Sequence, residues 1–159
     1  MIEGPFFWLT VAGVLGTGLA AGVLCAFSAF VMRALAALPP AQGVAAMNAI
    51  NRAAPRPAFM AVFLGTAVVA VAVGVVTLVV RPEDGMVELL LGSALYVCGS
   101  FGVTAAANVP RNDALLRLEP GSAQADAYWP GYVREWTRWN HIRMGASAAA
   151  AVLYVLALA

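Results

Sequence analysis

Residues 57–80 read PAFMAVFLGTAVVAVAVGVVTLVV, a run of 24 residues without a charge. Two other parts of the chain are similar, because residues 4–32 form an uncharged run of 29 and residues 89–110 one of 22. About 20 apolar residues are enough for a helix to cross the roughly 30 Å hydrocarbon core of a bilayer. The three runs therefore predict three membrane-spanning helices.

A fourth hydrophobic stretch opens with WTRWNHIR, residues 136–143. After Arg143 only 16 residues remain, all uncharged, and a helix of that length rises about 24 Å, less than the hydrocarbon core. We therefore expect the helix to begin near Trp139, which places Asn140 and His141 at the membrane boundary. Polar side chains at that depth are costly and usually functional.

The composition agrees with a membrane protein. Hydrophobic residues make up 62% of the chain and charged residues 11%, with a mean hydropathy of +0.84, whereas soluble domains contain about 25% charged residues. We predict an all-α, integral membrane four-helix bundle that forms one domain over residues 1–159. Its predicted spans are about 6–33, 57–80, 87–109 and 137–159.

The arginines predict the orientation of the bundle. The chain has nine arginines and no lysine, and only Arg81 lies outside the first and third loops and their flanks. Positive residues favour the cytoplasmic side, so we expect both termini outside. Heavy use of Ala, Gly and Arg without lysine is typical of a GC-rich bacterial genome, so we expect a multi-pass protein of the bacterial cytoplasmic (inner) membrane. Because topology explains the arginines, they give no reason to expect a nucleic-acid partner.

Two smaller features concern packing. Residues 40–53 follow a proline and carry Val44, Met47 and Ile50 at every third position, which predicts a short interfacial helix in the first cytoplasmic loop. Gly18 and Gly22 form a GxxxG pair. Such pairs allow close helix approach, either within the bundle or between protomers, so a homo-oligomer is possible.

Polar and aromatic side chains gather at the predicted cytoplasmic end of every span. An up-down-up-down bundle brings these ends together, and an intramembrane polar cluster is by default a candidate site. The sequence therefore predicts one shared pocket at the inner leaflet. Its candidate residues are Phe27, Ser28 and Phe30 on the first helix, Phe59 on the second, Asn108 and Asn112 on the third, and Trp136, Trp139, Asn140, His141 and Arg143 on the fourth.

Structural roles are the alternative for several of these residues. Trp136 and Trp139 could belong to an interfacial aromatic belt, Asn108 could cap a helix that ends before Pro110, and His141 could form a structural hydrogen bond.

A helical wheel places the side chains of residues 136–143 on two different faces of the fourth helix. At 100° per residue, Trp136, Trp139, Asn140 and Arg143 share one face. His141 points nearly the opposite way, in line with two small residues, Gly145 and Ala148. The small residues predict that the His141 side packs inward against another helix, and the wheel predicts that these side chains do not all meet at one small atom.

Four blocks of sequence resemble a known family. They are AFSAFVM at 26–32, MNAINR at 47–52, NVPRNDAL at 108–115 and WTRWNHIR at 136–143. In this order they resemble the signature blocks of the anthrone oxygenase-like family of small membrane proteins, and the resemblance covers nearly the whole chain. Arg111 stands where that family more often has an aliphatic residue.

The resemblance implies a reaction and a set of roles. An anthrone, a lipophilic aromatic small molecule that partitions into the bilayer, takes up dioxygen and becomes an anthraquinone. His141 would be the base, and Asn108, Asn140 and Arg143 would donate to the developing oxyanion. Aromatic stacking would come from Trp136 and Trp139. The remaining substrate contacts would be Phe27, Ser28, Phe30, Phe59 and Asn112.

Two questions stay open at this point. A deprotonated anthrone can reduce dioxygen directly, so dioxygen is the co-substrate and no organic cofactor is expected. A metal is the alternative, with Asp113, Asp126 and Glu135 able to join His141, although copper and non-haem iron sites usually need two or more histidines. The alternative function is a non-catalytic membrane protein that binds a lipophilic small molecule or acts as an accessory subunit.

Overall fold

The computed structural model describes residues 3–159, and these residues form five helices and no strand. All helices except the second are long and apolar enough to cross a membrane. The predicted all-α, multi-pass membrane bundle is therefore confirmed. The helices are α1 (Gly4–Ala36), α2 (Pro40–Ala53), α3 (Pro57–Val80), α4 (Met86–Leu116) and α5 (Ala123–Leu158).

The four long helices surround a common interior. Helix α5 packs along α1, α1 along α3, α3 along α4, and α4 along α5. Helices α3 and α4 are joined by a tight turn in which Arg81 and Gly85 both have a positive φ, 51° and 74° respectively. Consecutive long helices run in opposite directions. As a result Ser28 on α1, Asn108 on α4 and Asn140 on α5 lie on the same side of the bundle.

Close helix approach depends on glycines other than the predicted pair. A Cβ atom on Gly99 would lie 2.7 Å from the Cβ of Ala146, so only glycine allows this contact between α4 and α5. By contrast, Gly18 and Gly22 are exposed, and a Cβ on either would meet no atom within 4 Å. A role for the GxxxG pair in packing within the bundle is therefore wrong, while a contact between protomers stays a prediction.

The last helix begins far earlier than expected. We predicted a start near Trp139, but α5 begins at Ala123, where the Ser122 hydroxyl caps it by accepting a 3.2 Å hydrogen bond from the Ala125 amide. The prediction counted only apolar residues. The first turns of α5 are amphipathic instead, and they bury Trp129 and Tyr132 against α2.

Helix α4 continues through its proline. We expected it to end at Val109, but it runs to Leu116 because a π-helical turn, Thr104–Asn108, precedes Pro110. Pro110 then occupies the first turn of the next α-helical segment, where its missing N–H is tolerated. Wider π-helical turns of this kind occur frequently at functional sites.

Helix α2 has the bounds that its sequence pattern predicts, Pro40–Ala53. It buries Val44, Met47 and Asn48 against the first turns of α5 and the end of α4. Its place in the plane of the membrane interface stays a prediction.

Candidate functional site

A serine on α1 joins two neighbouring residues of α5. Ser28 lies in a π-helical turn, Phe27–Val31, that interrupts α1. Its Oγ accepts a 2.8 Å hydrogen bond from Nδ2 of Asn140 and lies 2.9 Å from Nδ1 of His141. Asn140 and His141 can both reach this hydroxyl because consecutive residues differ by only 100° around a helix. The prediction that all the polar and aromatic side chains of the run do not meet at one small atom is not contradicted by this pair.

Asn140 is fully engaged. It is buried, and its second amide hydrogen is donated to the Leu24 carbonyl at 2.8 Å. Its Oδ1 accepts a 2.7 Å hydrogen bond from Nη2 of Arg143. Asn140 thus has no remaining N–H for a substrate, and it connects the Ser28 hydroxyl to the Arg143 guanidinium.

Arg143 is a buried cation without an acidic partner. Its exposure is 6%, and its other contacts are a 3.1 Å hydrogen bond from Nη1 to Thr104 Oγ1 and the face of Trp136, whose ring centroid lies 5.1 Å from Cζ. In residues 3–159 the only ion pair joins Arg111 to Glu135, at 2.8 Å. Burying a charge without a counter-ion is costly, so this arginine demands an explanation beyond packing.

The polar chain runs through four side chains in order, from His141 to Ser28, Asn140 and Arg143. Helix α4 extends it, since Thr104 Oγ1 donates in turn to the Ser100 carbonyl at 2.8 Å. These hydrogen bonds thus link the His141 imidazole at the surface of the bundle to the Arg143 guanidinium inside it.

A second polar group holds α4 against α5. The Oδ1 of Asn112 accepts hydrogen bonds from Tyr132 Oη at 2.9 Å and from Trp136 Nε1 at 2.8 Å. Asn108 donates to the Trp136 carbonyl at 3.3 Å, while its Oδ1 is buried without a partner. These asparagines therefore bridge helices, and Asn108 is not the terminal cap that its sequence context allowed.

The two faces of α5 are the reverse of what the small residues predict. Gly145 and Ala148 are exposed, as is His141, whereas Asn140 and Arg143 face the interior. The prediction that the His141 side packs inward is wrong. His141 and Arg143 nevertheless lie on different faces of α5, as the helical wheel predicts, since the imidazole lies at the bundle surface and the guanidinium inside.

His141 opens onto a groove of about 340 Å³ between the end of α1 and α5. This volume lies in the range of small-molecule sites. Ser28 and Thr137 contribute hydroxyl groups to the lining, and Met32 and Val133 contribute apolar surface. The groove therefore contacts both residues of the Ser28 to His141 hydrogen bond.

Several predicted aromatic residues lie elsewhere or are already in contact with protein. Phe30 is 62% exposed on the outer surface. Phe59 stacks on Phe63 at a centroid distance of 5.8 Å, in an aromatic cluster on α3 and α4. Trp136 is buried, with Phe27 at 5.5 Å and Arg143 over its ring.

Trp139 is half-buried, and the Arg111 guanidinium lies 6.0 Å from its ring centroid. Arg111 also forms the ion pair with Glu135 and donates to the Ala107 carbonyl at 2.8 Å. An arginine in place of an aliphatic residue therefore adds an ion pair at the rim of the bundle.

Sequence reasoning missed Thr104 and Tyr132. Tyr132 is not among the predicted site residues, although its hydroxyl donates to Asn112 within the bundle. Thr104 had a detectable signal, because Ser100, Thr104, Asn108 and Asn112 are spaced by four residues and form one polar stripe on α4.

The possible metal ligands do not converge in the described residues. No group of three or more His, Cys, Asp and Glu side chains in residues 3–159 is arranged to hold a metal ion. Glu135, one of the predicted partners of His141, is paired with Arg111 instead.

The fold and the polar chain define a class, that of small multi-pass helical membrane proteins with a buried polar network at one end of the bundle. The family model for anthrone oxygenase matches residues 58–153, more than half of the chain. The protein therefore belongs to the anthrone oxygenase family. The matched region contains Asn108, Asn140, His141 and Arg143, and it begins after Ser28. Comparisons with curated proteins and with solved structures found no match.

Proposed function

We propose that this protein is a membrane oxygenase that uses dioxygen to convert an activated methylene of a phenolic aromatic molecule into a quinone carbonyl. Family membership supports the reaction class. The observation that carries the proposal is the His141 imidazole, which is held by Ser28 at 2.9 Å and opens onto a groove of small-molecule size.

The proposed reaction begins with a base and uses dioxygen as the oxidant. The base removes one proton from the methylene, and the resulting carbanion transfers one electron to dioxygen. The radical and superoxide combine into a peroxide anion at the same carbon, which takes the proton back from the base and becomes a hydroperoxide. The hydroperoxide then loses water to leave the carbonyl. One oxygen atom enters the quinone and the other leaves as water, so the reaction is balanced without an external reductant.

His141 is the proposed base. When Nδ1 donates to Ser28 Oγ, the neutral ring has an unprotonated Nε2 that can accept a proton from a substrate in the groove. Ser28 has two lone pairs, and these can accept from Asn140 and His141 together. In this proposal Ser28 fixes both the tautomer and the direction of the ring.

Asn140, Asn108 and Arg143 are assigned a different role from that implied by family resemblance. The N–H groups of Asn140 are already donated to Leu24 and Ser28, and Arg143 is turned away from the groove. We therefore propose that Asn140 and Arg143 position Ser28, and that Asn108 holds α4 to α5. In this proposal Asn140 and Arg143 act on the substrate only through Ser28 and His141 and do not contact its oxyanion directly.

The test is dioxygen consumption by protein in lipid nanodiscs with anthrone and 1,8-dihydroxyanthrone. Empty nanodiscs give the background, because anthrones oxidise spontaneously. We expect His141→Ala to lower kcat by about 10²- to 10⁴-fold, the usual contribution of a general base. With ¹⁸O₂, one labelled atom should enter each quinone.

Ser147→Ala is the matched control, because it removes a buried hydroxyl bonded to Ser100 at 2.9 Å that is not part of the His141 chain. Equal rates for His141→Ala and the wild type would remove the imidazole from the mechanism. Binding of an anthrone without turnover would support a carrier or accessory subunit instead. Elemental analysis of the active protein tests the proposal that no metal is needed, and stoichiometric iron or copper would contradict it.

We also propose that the protein lies in a bacterial cytoplasmic membrane with the groove near the cytoplasmic face. The support is the number of arginines on that side of the bundle. A lipophilic substrate could then enter the groove from the bilayer.

A further inference from the structure

The groove at His141 contains more positive charge than a general base requires. Three arginines line it: Arg33 from α1, and Arg134 and Arg138 from α5. No aspartate or glutamate lines it. Like charges that share a concave surface raise its positive potential, which attracts anions.

These guanidinium groups have no internal counter-ion. None of them lies within 4 Å of a carboxylate in residues 3–159, where the ion pair of Arg111 and Glu135 is the only one. The positive-inside rule explains why arginines lie at this end of the bundle. It does not explain why three of them, from two helices, border the same groove.

A buried hydroxyl in the groove also lacks a partner. Thr137 lines the groove, and its Oγ1 is inaccessible to solvent but makes no hydrogen bond. Threonines in helices commonly bond to the carbonyl four residues earlier, as Thr17 and Thr77 do here. The Thr137 hydroxyl is thus an unpaired polar group within the wall of the groove, closed off from the groove itself.

Apolar surface completes the groove. Met32 and Ala36 from α1 and Val133 from α5 lie beside the arginines. A ligand that suits this lining has an anionic oxygen group joined to a hydrophobic body. Guanidinium groups bind carboxylate and phosphate through paired hydrogen bonds, which makes arginine the suitable side chain for such a group.

We propose that this groove binds the carboxylate or phosphate group of a lipophilic molecule through Arg33, Arg134 and Arg138. Two molecules carry this chemistry at a membrane. One is an anionic phospholipid of the inner leaflet. The other is a substrate with a carboxylate on its aromatic ring system, and this second source rests on the proposed function because it places the reacting methylene beside His141.

The substrate source is tested by equilibrium dialysis against protein in phosphatidylcholine nanodiscs. The probe is anthraquinone-2-carboxylate, and neutral anthraquinone is its uncharged counterpart. We expect the carboxylate to bind at least about tenfold more tightly, given the strength of hydrogen bonds to charged groups. A triple variant, Arg33→Gln, Arg134→Gln and Arg138→Gln, should lose this preference.

A second triple variant is the matched control. Arg52→Gln, Arg56→Gln and Arg117→Gln remove the same charge from exposed arginines that do not line the groove. This control should keep the preference. Equal helicity of both variants by circular dichroism ensures that a loss reflects the groove and not the fold.

The lipid source is tested by native mass spectrometry of protein extracted from membranes that contain phosphatidylglycerol and phosphatidylcholine. Selective retention of phosphatidylglycerol by the wild type and the control, but not by the groove variant, would assign the site to phospholipid. Selective binding in either experiment supports the proposal.

The proposal is overturned if both probes bind equally and neither lipid is retained selectively, or if the two triple variants behave alike. These measurements record binding, so they are independent of turnover. Binding of the carboxylate by a protein that consumes no dioxygen with anthrone or 1,8-dihydroxyanthrone would contradict the oxygenase proposal alone. Turnover of neutral anthrones without any preference for an anion would contradict this proposal alone.

Discussion

Asn140 Oδ1 accepts a 2.7 Å hydrogen bond from Nη2 of Arg143, one turn further along α5. This contact ties a buried cation to a polar chain that reaches the bundle surface. A cation in this position costs stability, because no carboxylate among residues 3–159 pairs with it. Its presence therefore indicates a role in function.

Replacing Arg143 with methionine should therefore reduce activity more than stability. Methionine fills a similar volume without a charge, and exchange of buried ionic groups for apolar ones is often neutral or stabilising. We expect a change of less than about 2 kcal/mol in the free energy of unfolding and a kcat about tenfold lower, since Asn140 loses its anchor. Thermal unfolding in detergent and dioxygen uptake measure the two effects.

Asn140→Leu provides the comparison. It keeps the buried charge and removes its best acceptor, so it should cost about 3 kcal/mol or more. The double variant with Arg143→Met should recover part of that loss, because the two residues are coupled. Unfolding of Arg143→Met at room temperature would show that the cation is structural.

Ser28→Ala should lower kcat by about tenfold with little change in KM. The substitution removes the hydroxyl that contacts Asn140 and His141, so the imidazole loses its fixed direction. Ser28→Thr keeps a hydroxyl and should restore most of the rate. A rise in KM at unchanged kcat would instead indicate that Ser28 contacts the substrate.

Asn112→Leu should destabilise the bundle by about 2–4 kcal/mol, because it leaves the buried Tyr132 hydroxyl and the Trp136 indole N–H without an acceptor. Asn112→Asp keeps an acceptor oxygen and should be much less harmful. Thermal unfolding of the two variants measures the difference. Equal stability of wild type and Asn112→Leu would favour the predicted substrate contact over the structural role.

The sequence predicts best those features that depend on composition alone. The second span was expected at residues 57–80 and α3 is Pro57–Val80, because every residue of that helix contributes to the apolar signal. The start of α5 was missed because its first turns are stabilised by contact with α2. A contact between distant segments leaves no mark in local hydropathy.

The orientation of α5 could not be predicted for a physical reason. In a soluble protein the apolar face of a helix points inward, but lipid is as apolar as a protein core. Gly145 and Ala148 therefore fit a lipid-facing surface as well as a packed one, and they lie on the exposed side. The inward turn of Arg143 depends on acceptors from α4 and α5 that only the assembled bundle brings together.

Cysteine labelling tests the predicted topology. With Cys25 and Cys98 replaced by alanine, a single cysteine at Asp84, in the turn between α3 and α4, should react with a membrane-impermeant maleimide on intact cells. A cysteine at Glu119, between α4 and α5, should react only after permeabilisation, because arginines surround that loop. The reverse pattern would place the His141 groove on the outer side.

Glycine substitutions separate packing within the bundle from contact between copies of the protein. Gly99→Leu should lower stability by about 2 kcal/mol or more, because its Cβ would lie 2.7 Å from Ala146. Gly18→Leu meets no atom within 4 Å and should leave the monomer as stable as the wild type. Thermal unfolding compares these effects.

If Gly18 and Gly22 form the contact of a homo-oligomer, Gly18→Leu should yield monomers, because the added side chain keeps the helices apart. Light scattering in detergent measures the mass of the particle. An unchanged oligomer in this variant would exclude the GxxxG pair as the contact surface.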